Sequence, residues 1–226
     1  MVGMINHLFD RMKISINRCN GWIIFSIVVF IYLLFSVIID QYIFGKEVYI
    51  RSFSDQLTQE SLEAMLGFQE RYWWFGYVFT PLLLLIKLSF ATVCISIGTV
   101  LSNVEFHFKN IFKVVLLAEV VFIVAQTLYL VNLSFHLDTL TLETASNYYP
   151  LTILSYFGTE NVVQWLQYPL QTLNLFEVAY IVVISWLLSK QWKEDFAESM
   201  LVVLPSYATG LILWLVFVAF ITLQVS

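Results

Sequence analysis

The chain has 226 residues, of which 60% are hydrophobic and 12% are charged, and its mean hydropathy is +0.81. Water-soluble chains carry about 25% charged residues, so this composition excludes a soluble globular fold and indicates an integral membrane protein. The formal net charge of −5 argues against binding of nucleic acid by the whole chain, because a phosphate backbone is held by clustered Lys and Arg.

The amino-terminal segment, residues 1–20, predicts a helix that lies on the membrane surface. Apolar residues recur at helical spacing from Ile5 to Ile16, beside the basic residues Arg11, Lys13 and Arg18. A cationic amphipathic helix of this kind suits the anionic cytoplasmic leaflet. The apolar run that follows lacks a small-residue cleavage pattern, so we interpret it as a retained span rather than a signal peptide.

Five stretches reach the length of about 20 predominantly apolar residues that a membrane helix needs. They are residues 22–39, 74–101, 112–133, 172–189 and 200–223. The sequence therefore predicts an all-α integral membrane protein, a bundle of five transmembrane helices that forms one polytopic domain over residues 1–226.

The basic residues outside the spans predict the orientation of this bundle. With the amino terminus in the cytoplasm, the inner segments carry seven Lys or Arg residues and the outer loops carry three. This distribution obeys the positive-inside rule. We expect a bacterial inner-membrane protein with a cytoplasmic amino terminus and an outer carboxyl terminus.

Both outer loops are long and carry predicted structure. The first contains a predicted helix over residues 55–71, with Ser54 as its N-cap, which runs into Tyr72, Trp73 and Trp74. Such rings favour the membrane interface, so the helix lies on the membrane surface or covers the bundle, or else docks a partner. The second, residues 134–171, has no Lys or Arg and many aromatic rings, which predicts a re-entrant or surface-lying segment.

Three ionisable residues fall inside the predicted spans: Lys87, Glu119 and Glu177. Each costs about 2.5 to 3.5 kcal/mol to insert unless it is paired, neutral or hydrated. They either pin helices together or mark a functional pathway. Because a helical side chain leans toward its own amino terminus, we expect Lys87 to pair with Glu177, leaving Glu119 to neighbouring polar groups, water or protonation.

A polar face precedes and includes Glu177. Its members are spaced by three or four residues, interrupted only by Pro169, and they are Gln164, Gln167, Gln171, Asn174 and Glu177. This face either packs by amide hydrogen bonds or, with Tyr168, lines an outer groove leading to Lys87. Gln126, seven residues after Glu119, is a further candidate member of the intramembrane polar cluster.

Metal and cofactor chemistry find little support in the sequence. The three histidines are isolated on different segments, and there is no zinc-binding pair, nucleophile elbow or phosphate-cradling glycine loop. We therefore expect no metal, no cofactor and no catalytic residues. An intramembrane enzyme is the least favoured functional hypothesis.

A resemblance rests on Lys87, Phe108-Lys109, Glu119, Tyr149-Pro150 and the run 168–177. With these residues the chain resembles a group of uncharacterised five-span bacterial inner-membrane proteins. Its topology and size also resemble those of the Yip1-like family of small helical membrane proteins, over most of the chain. Neither resemblance implies a substrate or a functional residue.

Two functions follow as expectations. The first is a non-enzymatic helical subunit or scaffold of an inner-membrane assembly, in export or envelope biogenesis, with lipids and other membrane proteins as partners. The second is a small oligomeric transporter or channel component that uses Lys87, Glu177 and Glu119. Five spans are few for a monomeric transporter, so the second version predicts a homo-oligomer.

Overall fold

The computed structural model describes residues 20–53, 58–104, 107–145 and 148–225. Over these residues the chain is 86% helical and has no strand, which confirms the all-α prediction. The predicted surface helix of residues 1–20 and the predicted N-cap Ser54 lie outside the described residues, apart from Asn20.

The first apolar stretch forms α1, Gly21–Ile38, which continues into a π-helical turn at Ile39–Ile43. Asn20 begins the helix, since its side-chain oxygen accepts a hydrogen bond from the Trp22 backbone N–H at 3.1 Å. A short helix α2, Lys46–Phe53, follows.

The second span is much longer than the sequence predicts. Helix α3 runs without interruption from Gln59 to Leu101, with Pro81 inside it, and is 43 residues long. It begins after Thr58, whose hydroxyl accepts a hydrogen bond from the Ser61 backbone N–H at 3.4 Å. The predicted division into a separate loop helix and a span is therefore wrong, because nothing between Arg71 and Trp74 breaks the helix. At about 1.5 Å per residue, α3 is roughly twice as long as a hydrocarbon core is thick.

The third span consists of two helices in series, α4 (Phe108–Ala118) and α5 (Val120–Ser134). Glu119 is the single residue between them, and its backbone N–H bonds back to the carbonyls of Leu116 and Leu117. These shorter bonds tighten the helix locally at the charged residue.

The segment before the fourth span is a series of short helices. They are α6 (Leu142–Ala145), α7 (Ile153–Phe157), a 3₁₀ turn (Thr159–Asn161) and α8 (Gln164–Thr172). The last two long helices are α9, Leu175–Trp192, and α10, Phe196–Val225. The fourth span thus starts at Leu175 rather than at the predicted residue 172.

Five helical stretches in the described part of the chain are long and apolar enough to cross a membrane, as predicted: Gly21–Ile43, Gln59–Leu101, Phe108–Ser134, Leu175–Trp192 and Phe196–Gln224. They differ in how far the protein encloses them. The most apolar window is 44% buried in the fourth and 6% buried in the first. Large apolar side chains on the uncovered faces, such as Leu201 and Phe30, suit a lipid solvent.

The chain divides into two compact units, which are described separately. Unit 1 comprises Met1–Val28, Leu84–Val121 and Phe176–Phe217. Helices α3 and α10 approach closely in it, because a Cβ atom added at Gly98 would lie 2.6 Å from the Ser206 Cβ, and one at Gly210 would meet the Cys94 sulfur. Small residues thus allow this approach, as small-residue steps do in membrane helices.

Unit 2 comprises Val29–Leu83, Phe122–Leu175 and Val218–Ser226. Its apolar core joins α2, α5 and the loop helix α6, through Ile43, Val48, Tyr129, Leu133, Leu140 and Ala145. The Arg51 guanidinium donates to the carbonyls of Leu137 and Leu140 at 2.9 and 3.2 Å. Helix α2 and the segment that follows α5 therefore pack on each other, although they lie far apart in the chain, and periodicity alone does not predict this contact.

Candidate functional site: ionisable side chains within the apolar helices

The central feature of unit 1 is an ion pair between Lys87 and Glu119. The Lys87 Nζ lies 3.0 Å from one carboxylate oxygen of Glu119 and 3.1 Å from the other. The side chain of Glu119 is 0% exposed, whereas that of Lys87 is 40% exposed. The carboxylate is therefore fully enclosed, with its ammonium partner at the edge of the enclosed region.

Tyr180 adds a neutral donor to this pair. Its hydroxyl donates to a Glu119 carboxylate oxygen at 3.3 Å and lies 3.4 Å from the carbonyl of Val115. Its ring also lies beneath the ammonium group of Lys87, 5.6 Å from Nζ to the centroid. A ring face attracts a cation, so Tyr180 supports both charges of the pair.

Glu177 has a different partner, the hydroxyl of Tyr207, which donates to its carboxylate at 2.9 Å. Glu177 and Tyr207 are both buried. The rings of Tyr207 and Tyr180 pack edge to face, with centroids 5.6 Å apart. This contact joins the two carboxylates into one network.

The structure gives Lys87 a partner that side-chain direction did not predict. Lys87 pairs with Glu119, the carboxylate that side-chain direction left to other polar groups, and Glu177 takes a hydrogen bond from Tyr207. The direction argument did not predict the contact with Glu119 because the flexible four-carbon stem of lysine can compensate for an offset along the helix axis. It also assumes a continuous third helix, whereas the helix is interrupted at Glu119.

Four segments supply the network. Lys87 comes from α3, Glu119 from the junction of α4 and α5, Glu177 and Tyr180 from α9, and Tyr207 from α10. Glu177 and Tyr180 are three residues apart, which places them on one side of α9. The arrangement can hold four helix segments together, and it can also hold a proton or an ion.

The predicted polar face on the fourth span does not form one helical surface. The helix is interrupted at Leu173 and Asn174, where Asn174 forms an antiparallel bridge with Thr152. The Asn174 side-chain amide donates to the carbonyls of Gln171 and Thr172, which closes the end of α8. The amide of Gln167 similarly donates to the carbonyls of Thr159 and Val162.

These side-chain amides therefore donate hydrogen bonds to backbone carbonyls in and beside the irregular segments of unit 2. Pro169 does not cause the interruption, since it lies inside α8 and the break comes after Thr172. Gln164 and Tyr168 are exposed, Gln171 and Gln126 are half-buried, and all four belong to unit 2, whereas Lys87, Glu119 and Glu177 belong to unit 1.

Sequence reasoning missed the two tyrosines of the network. Tyr180 lies one helical turn after Glu177, and Tyr207 directly follows Ser206 in α10. A phenol inside an apolar span needs a hydrogen-bond partner, and that requirement was the available signal. Tyrosine is also common at membrane interfaces, which hides this signal among the twelve tyrosines of the chain.

Among the described residues, no group of three or more His, Cys, Asp or Glu side chains is placed to hold a metal ion.

Comparisons with known proteins found no relative of the chain. The chain matches no family model, no curated protein and no solved structure.

Proposed function

We propose that the chain is a multi-pass inner-membrane protein that acts as a non-enzymatic helical subunit or scaffold of a membrane assembly, in export or envelope biogenesis. The observation that carries this proposal is the ion pair of Lys87 with the enclosed carboxylate of Glu119. Both carboxylate oxygens are engaged by a side chain of the same protein, as expected when charges serve helix packing rather than substrate binding.

The proposed orientation places the amino terminus in the cytoplasm, because seven basic residues then lie inside and three outside. Asn103 follows the second span and Thr139 follows the third, and both are exposed. In a chain carrying Cys19→Ser and Cys94→Ser, an impermeant maleimide should label Thr139→Cys in intact cells. It should label Asn103→Cys only after the membrane is permeabilised, and the reverse pattern would contradict the orientation.

Helix α1 is the surface that we expect a partner helix to cover. Its apolar window is the least buried of the five, at 6%, and Phe30, Leu34 and Val37 lie exposed on one face of it. Spacings of four and three residues are those of a helix-packing seam. The scaffold proposal therefore predicts a hetero-complex that depends on these side chains.

Native mass determination in mild detergent, after isolation from native membranes, tests the scaffold. We expect a stable hetero-complex for the wild-type chain and at least a tenfold loss of partner from the variant Phe30→Ala/Leu34→Ala. Leu213→Ala, which removes an exposed side chain of α10, is the matched control and should leave the complex intact. A complex that tolerates the α1 variant would contradict the assignment of this face.

A second function, a small oligomeric transporter or channel component, is favoured by one observation. The Lys87 side chain is 40% exposed, so an anion or solute could approach it from outside the protein. This version predicts a homo-oligomer with solute-dependent thermal stabilisation, and solute flux in proteoliposomes that Lys87→Met abolishes and Lys190→Met leaves unchanged. A hetero-complex without flux would favour the scaffold.

A further inference from the structure

An apolar groove runs along the last turns of helix α3 in unit 1. It has a volume of about 370 Å³ and is lined by five residues from the end of α3 and one from the start of α4: Val93, Ser96, Ile97, Val100, Leu101 and Phe108. The Ser96 hydroxyl donates to the carbonyl of Thr92 at 2.7 Å, so it is already hydrogen-bonded within its own helix. The groove therefore offers an apolar surface to its occupant.

The length of the groove matches one leaflet of a membrane. Between Val93 and Leu101 helix α3 rises by about 12 Å, at about 1.5 Å per residue. The acyl chains of one leaflet occupy about 15 Å, which is half of a hydrocarbon core of about 30 Å. The volume also lies within the range of about 300 to 1,000 Å³ that ligand sites have. The groove thus suits one acyl chain, whereas a partner helix that crosses the membrane would extend well beyond it.

Basic side chains follow the end of the groove at which α4 begins. Phe108 lines the groove, and the next residue, Lys109, is exposed in the first turn of α4. Lys113 lies one turn further along and packs beside the start of α1, because a Cβ atom added at Gly21 would lie 3.6 Å from its side chain. Helix α4 has no acidic residue, and the positive end of its dipole lies at Phe108. The charge at this end therefore complements an anionic headgroup.

We propose that the groove binds one anionic phospholipid, with an acyl chain against Ile97 and its neighbours and the phosphate group beside Lys109. With the proposed orientation this end of α3 faces the cytoplasm, where the anionic lipids are concentrated. The site rests on the insertion of these helices into lipid and on neither of the two functions proposed above. It makes the stability of unit 1 depend on the composition of the membrane, because a ligand that binds only the folded chain stabilises it.

Native mass spectrometry of the full chain, delipidated in mild detergent, tests the headgroup with phosphatidylglycerol and phosphatidylcholine that carry the same acyl chains. We expect tighter binding of phosphatidylglycerol. Lys109→Gln should weaken that binding about fivefold, the contribution of one basic side chain near an anionic lipid surface, and Lys109→Arg should retain it. Lys193→Gln, which removes an exposed lysine between α9 and α10, is the matched control and should leave the affinity unchanged.

A second pair of variants tests the groove itself. Ile97→Trp fills the groove with an indole ring and should weaken the binding of both lipids at least tenfold. Val120→Trp is the matched control on α5, since Val120 is 53% exposed and Ile97 is 55% exposed, and it should bind both lipids as the wild-type chain does. Phosphatidylglycerol with a photoreactive group in its acyl chain should crosslink to residues 93–101.

Ile97 and Lys109 are both exposed, so their variants should fold, and circular dichroism verifies the helical content before binding is measured. Equal affinity for the two lipids would overturn the proposal. So would binding that survives Ile97→Trp, or a crosslink that maps outside the groove. Equally tight binding of inorganic phosphate would also overturn it, because the acyl chain would then contribute nothing.

Discussion

The buried carboxylates of unit 1 and the loop carbonyls of unit 2 obtain their hydrogen-bond donors in different ways. In unit 1, ionisable side chains of the long helices and of the α4–α5 junction bind one another, as Lys87 does Glu119 and Tyr207 does Glu177. In unit 2, polar side chains bind the carbonyls of irregular backbone, as Arg51 does those of Leu137 and Leu140. A helix satisfies its own backbone, so a carboxylate buried beside it needs a donor from another side chain, whereas irregular backbone needs side chains as donors.

The largest effect expected from this difference comes from removing a charge in unit 1. Glu119→Ala deletes the enclosed partner of Lys87 and should lower the free energy of unfolding by about 3 kcal/mol, the low end for a buried pair because Lys87 is partly exposed. Denaturation in mixed detergent measures it. Asn132→Ala in unit 2, which removes a donor to the Tyr148 carbonyl, should cost only about 1 kcal/mol. Equal losses would remove the distinction between the units.

Two Gly→Ala substitutions in helix α3, one in each unit, should change the stability of the protein in opposite directions. Gly98→Ala in unit 1 brings a Cβ to 2.6 Å from that of Ser206 and 3.2 Å from the carbonyl oxygen of Val202, so we expect a loss of about 1 to 3 kcal/mol. Gly76→Ala in unit 2 meets nothing within 4 Å and should be neutral or stabilise the helix by up to about 1 kcal/mol. Thermal unfolding of both variants provides the measurement, and a destabilising Gly76→Ala would contradict it.

The hydrogen bonds from Arg51 to the loop carbonyls provide a further test of what stabilises unit 2. Arg51→Met removes the donor to two loop carbonyls and should cost about 1 kcal/mol, because the site is exposed enough for water to replace part of the bonding. Hydrogen exchange should accelerate in α6 and its flanking residues. Unchanged exchange there would show that the apolar core alone orders the loop.

The smallest expected effect is a loss of stability at alkaline pH, which arises from unit 2. Tyr149 stacks on Tyr129 with ring centroids 3.8 Å apart, and burial raises the pKa of the Tyr149 phenol above its ordinary value of 10.0. Because the unfolded chain then loses this proton first, stability should fall as the pH rises above about 10. Phenolate absorbance measures the titration, with Tyr149→Phe as the variant that weakens the dependence. Titration of Tyr149 at the ordinary pKa of a solvated phenol would contradict it.

The features that the sequence predicted best are those that the membrane environment alone determines. Five apolar stretches predict five long helices because a bilayer fixes the length of a span, and Lys87, Glu119 and Glu177 stand out because charge is rare in such stretches. The length of α3 was missed because an exposed helix such as 59–71 can continue a span or lie apart from it, and both have the same periodicity.

The partners of the ionisable side chains were less predictable from the sequence than their positions in the helices. Whether Lys87 reaches Glu119 or Glu177 depends on how neighbouring helices are offset along their axes, and that offset leaves no trace in the spacing of residues. The interruption at Asn174 was missed for a related reason. Its bridge to Thr152 forms between residues 22 apart in the chain, and helical periodicity contains no information on such contacts.

A double-mutant cycle on Lys87 and Glu119 measures whether this pair holds the helices of unit 1 together. Lys87→Met, Glu119→Leu and the double variant are unfolded in the same mixed detergent as the wild-type chain. We expect the double variant to recover at least about 1 kcal/mol of the summed single losses, and the swap Lys87→Glu/Glu119→Lys to be more stable than either of its single changes. Strictly additive losses, or recovery only when Glu177 replaces Glu119 in the cycle, would contradict it.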